Sequence, residues 1–343
     1  MTLPRIHIGR PQRLAALLLL AFFAECLWVV AHQPHSLAIQ HAINGDGIFA
    51  YSIVKLSFAV LRLVHCNSPR ATIFLLHLPF VFFAVWMGGG LWWVSRRLFG
   101  NEGGFFALAL YCFCPTVVSL AVVPNDDLLA MWGLYGLVYT AIGVSHAMLG
   151  PRRKWRPRIA LLTLALGLTA AAHLVAGIAG LIAALCFMLY LAEGRRIVAL
   201  QILFMAAIGA FAILFAFSGF HPAELRHALS GAVCLSLISI RSFASDLSNL
   251  PILIATAVAT LLYLFCRRSR YFGNTAPLLI VLALAPLIQP QAESASWVWA
   301  LPFFFTFLGG VFADALETRT RNPFLALTGA ILAAQAILCL AAL

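Results

Sequence analysis

The chain has 343 residues, 63% of them hydrophobic and only 10% charged, with a net charge of +11 and a mean hydropathy of +0.99. Soluble domains run at about 45–50% apolar and about 25% charged, so no water-soluble core hides this much apolar surface and the chain reads as a polytopic membrane protein. The positive balance, which in a soluble protein points to nucleic acid, here marks Lys and Arg gathered in cytoplasmic loops; the eight Cys show no zinc-type or redox spacing.

At the N-terminus "RIHIGRPQR" precedes the apolar run 14–31, and no small-x-small cleavage site follows, which predicts a retained signal anchor. A helix needs about 20 apolar residues to cross the hydrocarbon. After 14–31, crossings are predicted at 71–94, 104–123, 128–147, 158–172, 174–192, 197–217, 250–266, 274–289, 297–313 and 324–342. The expectation is an all-α polytopic protein of about eleven transmembrane helices, a single integral membrane domain over 1–343 without a soluble domain or a clear internal repeat.

Orientation follows from the cations. With the N-terminus inside, the inner loops receive 17 Lys and Arg and the outer ones only Lys55, Arg62, Arg70, Arg226 and Arg241, a strong positive-inside bias. If "IFAYSIVKLSFAVLRLV" (48–64) also crossed, every later loop would change sides and most of that bias would reverse. With Lys55 and Arg62 seven residues apart on one face, it reads instead as an amphipathic helix in the outer interface.

The same topology places "VVPNDDLLAMW" (122–132) at the outer membrane edge, in a tight turn opened by Pro124. An acid at the bilayer centre costs on the order of 2.5–3.5 kcal/mol and less toward the interface, so Asp126 and Asp127 are tolerable there, with no Lys or Arg in the turn to neutralise them. Either one can also cap the following helix. Asp46 in "NGDG", His173 between two crossings, and the loop 218–249 with Arg226 and Arg241 fall on the same face. Glu25, an acid in the outer half of the first crossing, reads equally as a partner for another helix.

A carboxylate at this level can act as general base on an acceptor hydroxyl while a sugar leaves a lipid-linked phosphate. Phosphate leaves readily, so a second acid is less necessary than in glycoside hydrolysis. A guanidinium or ammonium must hold the phosphate, and Arg241, Arg226, Lys55 and Arg62 are the candidates. No cofactor is demanded, although an Asp–Asp–His set is of the kind that holds a divalent cation bridging to phosphate.

Residues 68–141 resemble the membrane core of GT-C glycosyltransferases, in the branch of protein O-mannosyltransferases and aminoarabinose transferases. The resemblance rests on "RRLFG" (96–100), "CPTVVSLAVVPNDDLLA" (114–130) and the small-residue helix between them, with "IFAYSIVKLSF" (48–58) at the place of the family's interfacial helix. It covers roughly the first 190 residues, a core of about 14–192 ahead of C-terminal helices in 197–342. It implies a polyprenyl-phosphate-linked sugar donor, an inverting transfer to a lipid, glycan or protein acceptor on the extracytoplasmic face, and residence in the cell (inner) membrane. Asp126 matches the family's aspartate before x-Leu-Leu. The family's acidic pair after the first crossing is absent, and Asp46 is the only acid in 31–47; the chain also lacks the soluble outer domain of larger members. The site expected on this basis has Asp46 and Asp126 as catalytic residues and Asp127, His173, Arg241 and Lys55 as substrate contacts. The alternatives are an inactive relative, because of the missing pair, and a lipid or solute transporter or flippase.

Overall fold

The computed structural model describes residues 9–32, 48–63, 68–148, 150, 155–192, 194–221, 247–265, 270–284, 296–317 and 321–342. All regular structure among them is helical. In chain order the α-helices are α1 (Arg10–His32), α2 (Ile48–Leu63), α3 (Pro69–Cys112), α4 (Pro115–Ala121), α5 (Asp126–Met148) and α6 (Trp155–Ala172). There follow α7 (Leu174–Leu191), α8 (Arg196–Phe217), α9 (Leu250–Phe265), α10 (Arg270–Leu284), α11 (Leu301–Leu316) and α12 (Arg321–Ala342).

Among the described residues seven helices are long and apolar enough to cross a membrane: Arg10–His32, Arg70–Cys112, Asp126–Met148, Leu174–Leu191, Arg196–Phe217, Val298–Leu316 and Asn322–Ala342. The chain is therefore a multi-pass membrane protein, and three physical features separate these seven helices from the eleven crossings expected. First, the segments expected at 71–94 and 104–123 share α3, which bends at Gly100 (φ 79°, ψ −174°), a backbone state that glycine adopts without the Cβ penalty. The later stretch then breaks at Phe113–Cys114 and restarts as α4 with Pro115 at its first position, where a missing N–H costs nothing. Second, α6 opens on Arg-Pro-Arg at 156–158, which dilutes its apolar character. Third, the described apolar parts of α9 and α10, Leu250–Phe265 and Thr275–Leu284, are shorter than a full crossing.

The bundle has two joined cores. One gathers α1, α3, α4, the first half of α5 and α11 around Phe22, Phe80, Tyr111, Phe305 and Phe312. The other joins the second half of α5 to α6, α7 and α8 through Leu137, Val144, Leu162 and Met188. Small residues let backbones approach, as is usual where helices pack inside lipid. A Cβ on Gly309 of α11 would lie 2.6 Å from the Gly103 carbonyl oxygen of α3. Glu25 is explained by packing: Cys339 Sγ of α12 donates to its Oε1 at 3.5 Å, tying the last helix to the first.

Of the stretch expected to be helical, Ile48–Leu63 is described, and it forms α2. α2 buries Phe49, Ala50, Val54, Ser57 and Leu61 against α3, α5, α6 and α8, and leaves Tyr51, Lys55, Leu56 and Arg62 outside.

Candidate functional site

The turn before α5 is built by two side chains. His77, buried in α3, donates from Nδ1 to the Val122 carbonyl. Asn125 does the rest: Nδ2 donates to Leu120 O (2.9 Å) and Val123 O (3.0 Å), and Oδ1 accepts the Leu128 N–H at 2.7 Å. That last bond is the N-cap of α5. The capping role open to Asp126 or Asp127 on sequence thus falls to Asn125, because its side chain sits one residue earlier, outside the helix, and reaches the third helical N–H.

Both aspartates then occupy the first turn of α5, half-buried. Asp127 Oδ1 accepts the indole N–H of Trp299 at 3.0 Å. Trp299 is 1% exposed and sits in the 3-10 turn Ser296–Ala300 that leads into α11. Its ring packs on His173 with centroids 4.8 Å apart and planes at 60°. His173 stands at the break between α6 and α7 with extended backbone (φ −152°, ψ 111°). Residues 127, 173 and 299, scattered over half the chain, thereby meet at one end of the bundle.

Beneath this end lies a buried polar group. Tyr135 OH and Thr306 Oγ1 share a hydrogen bond at 2.9 Å, Ser95 Oγ donates to Thr306 Oγ1 at 3.5 Å, and the Tyr135 and Tyr139 rings pack together (4.7 Å). Beside it, Phe83, Trp86 and Trp132 form an aromatic wall joining α3 to α5, which Phe49 of α2 and Phe217 of α8 extend. Trp86 is 54% exposed, so this wall opens on the lipid-facing side.

Of the expected site residues, the structure brings Asp127 and His173 together through Trp299, and Asp126 precedes Asp127 in the same helical turn. Lys55 is exposed, and its ammonium lies over the Tyr51 ring of the same helix at 5.8 Å. Asp46 and Arg241 lie outside the described residues, as does Arg226. Among the described residues no three His, Cys, Asp or Glu gather into a metal site. In the Asp–Asp–His set the Trp299 indole bonds Asp127 and packs on His173.

Trp299 and Asn125 were not among the residues expected from sequence. "PND" before an apolar run is an Asn cap signal and was there to be read. Trp299 gives no such signal, because an indole counts as apolar in any hydropathy pattern while its N–H stays hidden.

No family model and no curated protein matches the chain. Among solved structures it is similar to the crystal structure of ArnT from Cupriavidus metallidurans in the apo state, with a TM-score of 0.58 and 10% identity over 91% of this chain. The chain spans 62% of that protein's length. At this identity the likeness is one of fold, and the match runs well past the first 190 residues that carried the sequence resemblance.

Proposed function

We propose that the chain is a membrane glycosyltransferase of the GT-C type, which moves a sugar from a polyprenyl-phosphate donor to a lipid, glycan or protein acceptor on the extracytoplasmic face of the inner membrane. The observation that carries this reading is the Asp127–Trp299–His173 convergence, in a fold like that of ArnT. A carboxylate presented by the first turn of a helix, capped by another residue and oriented by an indole N–H, is available to a substrate rather than committed to the backbone.

In this reading the positive-inside bias puts the Asp126–Asp127 end outside. The aromatic wall of Phe83, Trp86 and Trp132 offers an apolar flank beside it, suited to the tail of a lipid-linked donor. Asp126 positions the acceptor hydroxyl, and Asp127 contacts the substrate while held by Trp299. Asp46 is the base that takes the hydroxyl proton as the C–O bond to the anomeric carbon forms. The bond from that carbon to the phosphate oxygen breaks in the same displacement, and the polyprenyl phosphate leaves with the electron pair. Arg241 and Lys55 are the cations assigned to the phosphate, and α2 is the interfacial helix that brings Lys55 to the membrane surface.

The test is transfer from a panel of radiolabelled polyprenyl-phosphate sugars to envelope acceptors by the purified protein in lipid, wild type against Asp126→Asn. Transfer that the variant loses supports the reading. Absence of donor binding, hydrolysis and transfer with every sugar overturns it in favour of an inactive relative.

A further inference from the structure

The opposite end of α5 carries a second chemical feature that glycosyl transfer leaves unused. α5 spans 23 residues, about 34 Å at 1.5 Å per residue, so its last turn lies about one hydrocarbon thickness from Asp127. There two guanidiniums from outside the helix reach carbonyls of its last two turns. Arg158 of α6 donates from Nη1 to Gly143 O at 2.6 Å, and Arg195, just before α8, donates from Nη1 to Met148 O. These bonds draw the ends of α5, α6 and α8 together. They immobilise two arginines whose remaining N–H donors, four of the five on each, are not used in these contacts.

Arg156 and Arg196, both exposed, stand two residues and one residue from this pair. His146, in the last turn of α5, is also exposed. Trp155 lies half-buried at the same level, its Nε1 donating to Gly150 O at 3.2 Å, as an interfacial indole does. By sequence, residues 149–158 and 192–196 hold seven cations against one acid, Glu193. The cations border exposed apolar side chains: Tyr190 (62%), Ile197 (73%) and Leu161 (56%).

We propose that Arg156, Arg158, Arg195 and Arg196 form a binding site for the headgroup of an anionic phospholipid in the leaflet opposite the Asp127 end. Guanidiniums match phosphate bidentately, and two of the four are fixed in place by their carbonyl bonds. The apolar border favours a lipid over a soluble phosphate, because acyl chains have a surface to lie on directly beside the cations. This site stands whether or not the chain transfers sugars.

The experiment is lipid retention by the full-length protein in native mass spectrometry, comparing phosphatidylglycerol with phosphatidylcholine of identical acyl chains. Wild type is expected to retain phosphatidylglycerol preferentially. Arg156→Gln/Arg196→Gln, which spares the two carbonyl-bonded arginines, is expected to weaken that preference on the order of 25-fold at low salt, from about fivefold per juxtamembrane cation. Phosphatidylcholine retention and thermal unfolding in phosphatidylcholine are expected to stay unchanged, which separates lost binding from lost fold. Equal retention of the two lipids by wild type overturns the proposal, as does a double variant that holds phosphatidylglycerol like wild type. Displacement of the lipid by millimolar inorganic phosphate overturns the lipid assignment.

Discussion

The two ends of α5 carry opposite charges, Asp126 and Asp127 at the first turn and Arg158 and Arg195 against the last. Both placements complement the helix macrodipole, worth about 0.3–1 kcal/mol each at exposed positions, so charge alone does not separate a structural end from a functional one. Hydrogen bonding does. Arg195 bonds the terminal Met148 carbonyl, which the helix leaves open, and Arg158 bonds the Gly143 carbonyl one turn earlier. At the other end Asn125 caps, and the Asp127 carboxylate goes to a side chain, Trp299, from a distant part of the sequence. A charge spent on backbone carbonyls holds helices together; a charge oriented by a remote side chain, at a helix end already capped by another residue, is not committed to the backbone.

Substitutions at the two ends should therefore separate activity from stability. The largest effect is expected for Asp127→Asn, which keeps the shape and the indole contact: transfer should fall by about 10–150-fold, from about 1.5–3 kcal/mol for a lost hydrogen bond to a charged group, with the unfolding temperature unchanged. Trp299→Phe keeps an aromatic ring against His173 but removes the N–H. It should cost about 1–3 kcal/mol of stability through the unsatisfied carboxylate oxygen and lower transfer as well, read by parallel thermal unfolding and kinetic assays. Arg195→Met sharpens the contrast from the other end, with about 1.5 kcal/mol of stability lost along with the Met148 carbonyl bond and transfer per folded molecule as in wild type. The smallest effect is expected for Asn125→Ala, about 1 kcal/mol from the lost cap, accompanied by reduced transfer because the turn that aims both aspartates loosens. Equal activity losses at both ends would break the comparison.

Much of the frame was legible in the sequence because apolar run length is a direct readout of bilayer thickness. The crossing expected at 128–147 is α5, 174–192 is α7 with His173 at its start, and 197–217 is α8. The cut at His173 holds although apolar residues flank it on both sides. The breaks inside α3 were less legible: "RRLFGNEGG" marks a polar interruption, yet hydropathy does not say that Gly100 adopts a positive φ while helix continues on either side. The site was half legible. Acids at a membrane edge stand out against an apolar chain, and so did Asp126, Asp127 and His173. The side chains that organise them did not: Trp299 is hydrophobic by any scale, and His77, a single imidazole inside the apolar run 71–94, offers no pattern pointing to a carbonyl 45 residues away.

The most direct test of the central claim is single-turnover transfer of a radiolabelled sugar from its polyprenyl-phosphate carrier, measured side by side for wild type, Asp127→Asn and Arg195→Met in the same lipid. The account predicts transfer by wild type and Arg195→Met and its loss in Asp127→Asn, with all three folded. Transfer by Asp127→Asn at the wild-type rate would contradict it.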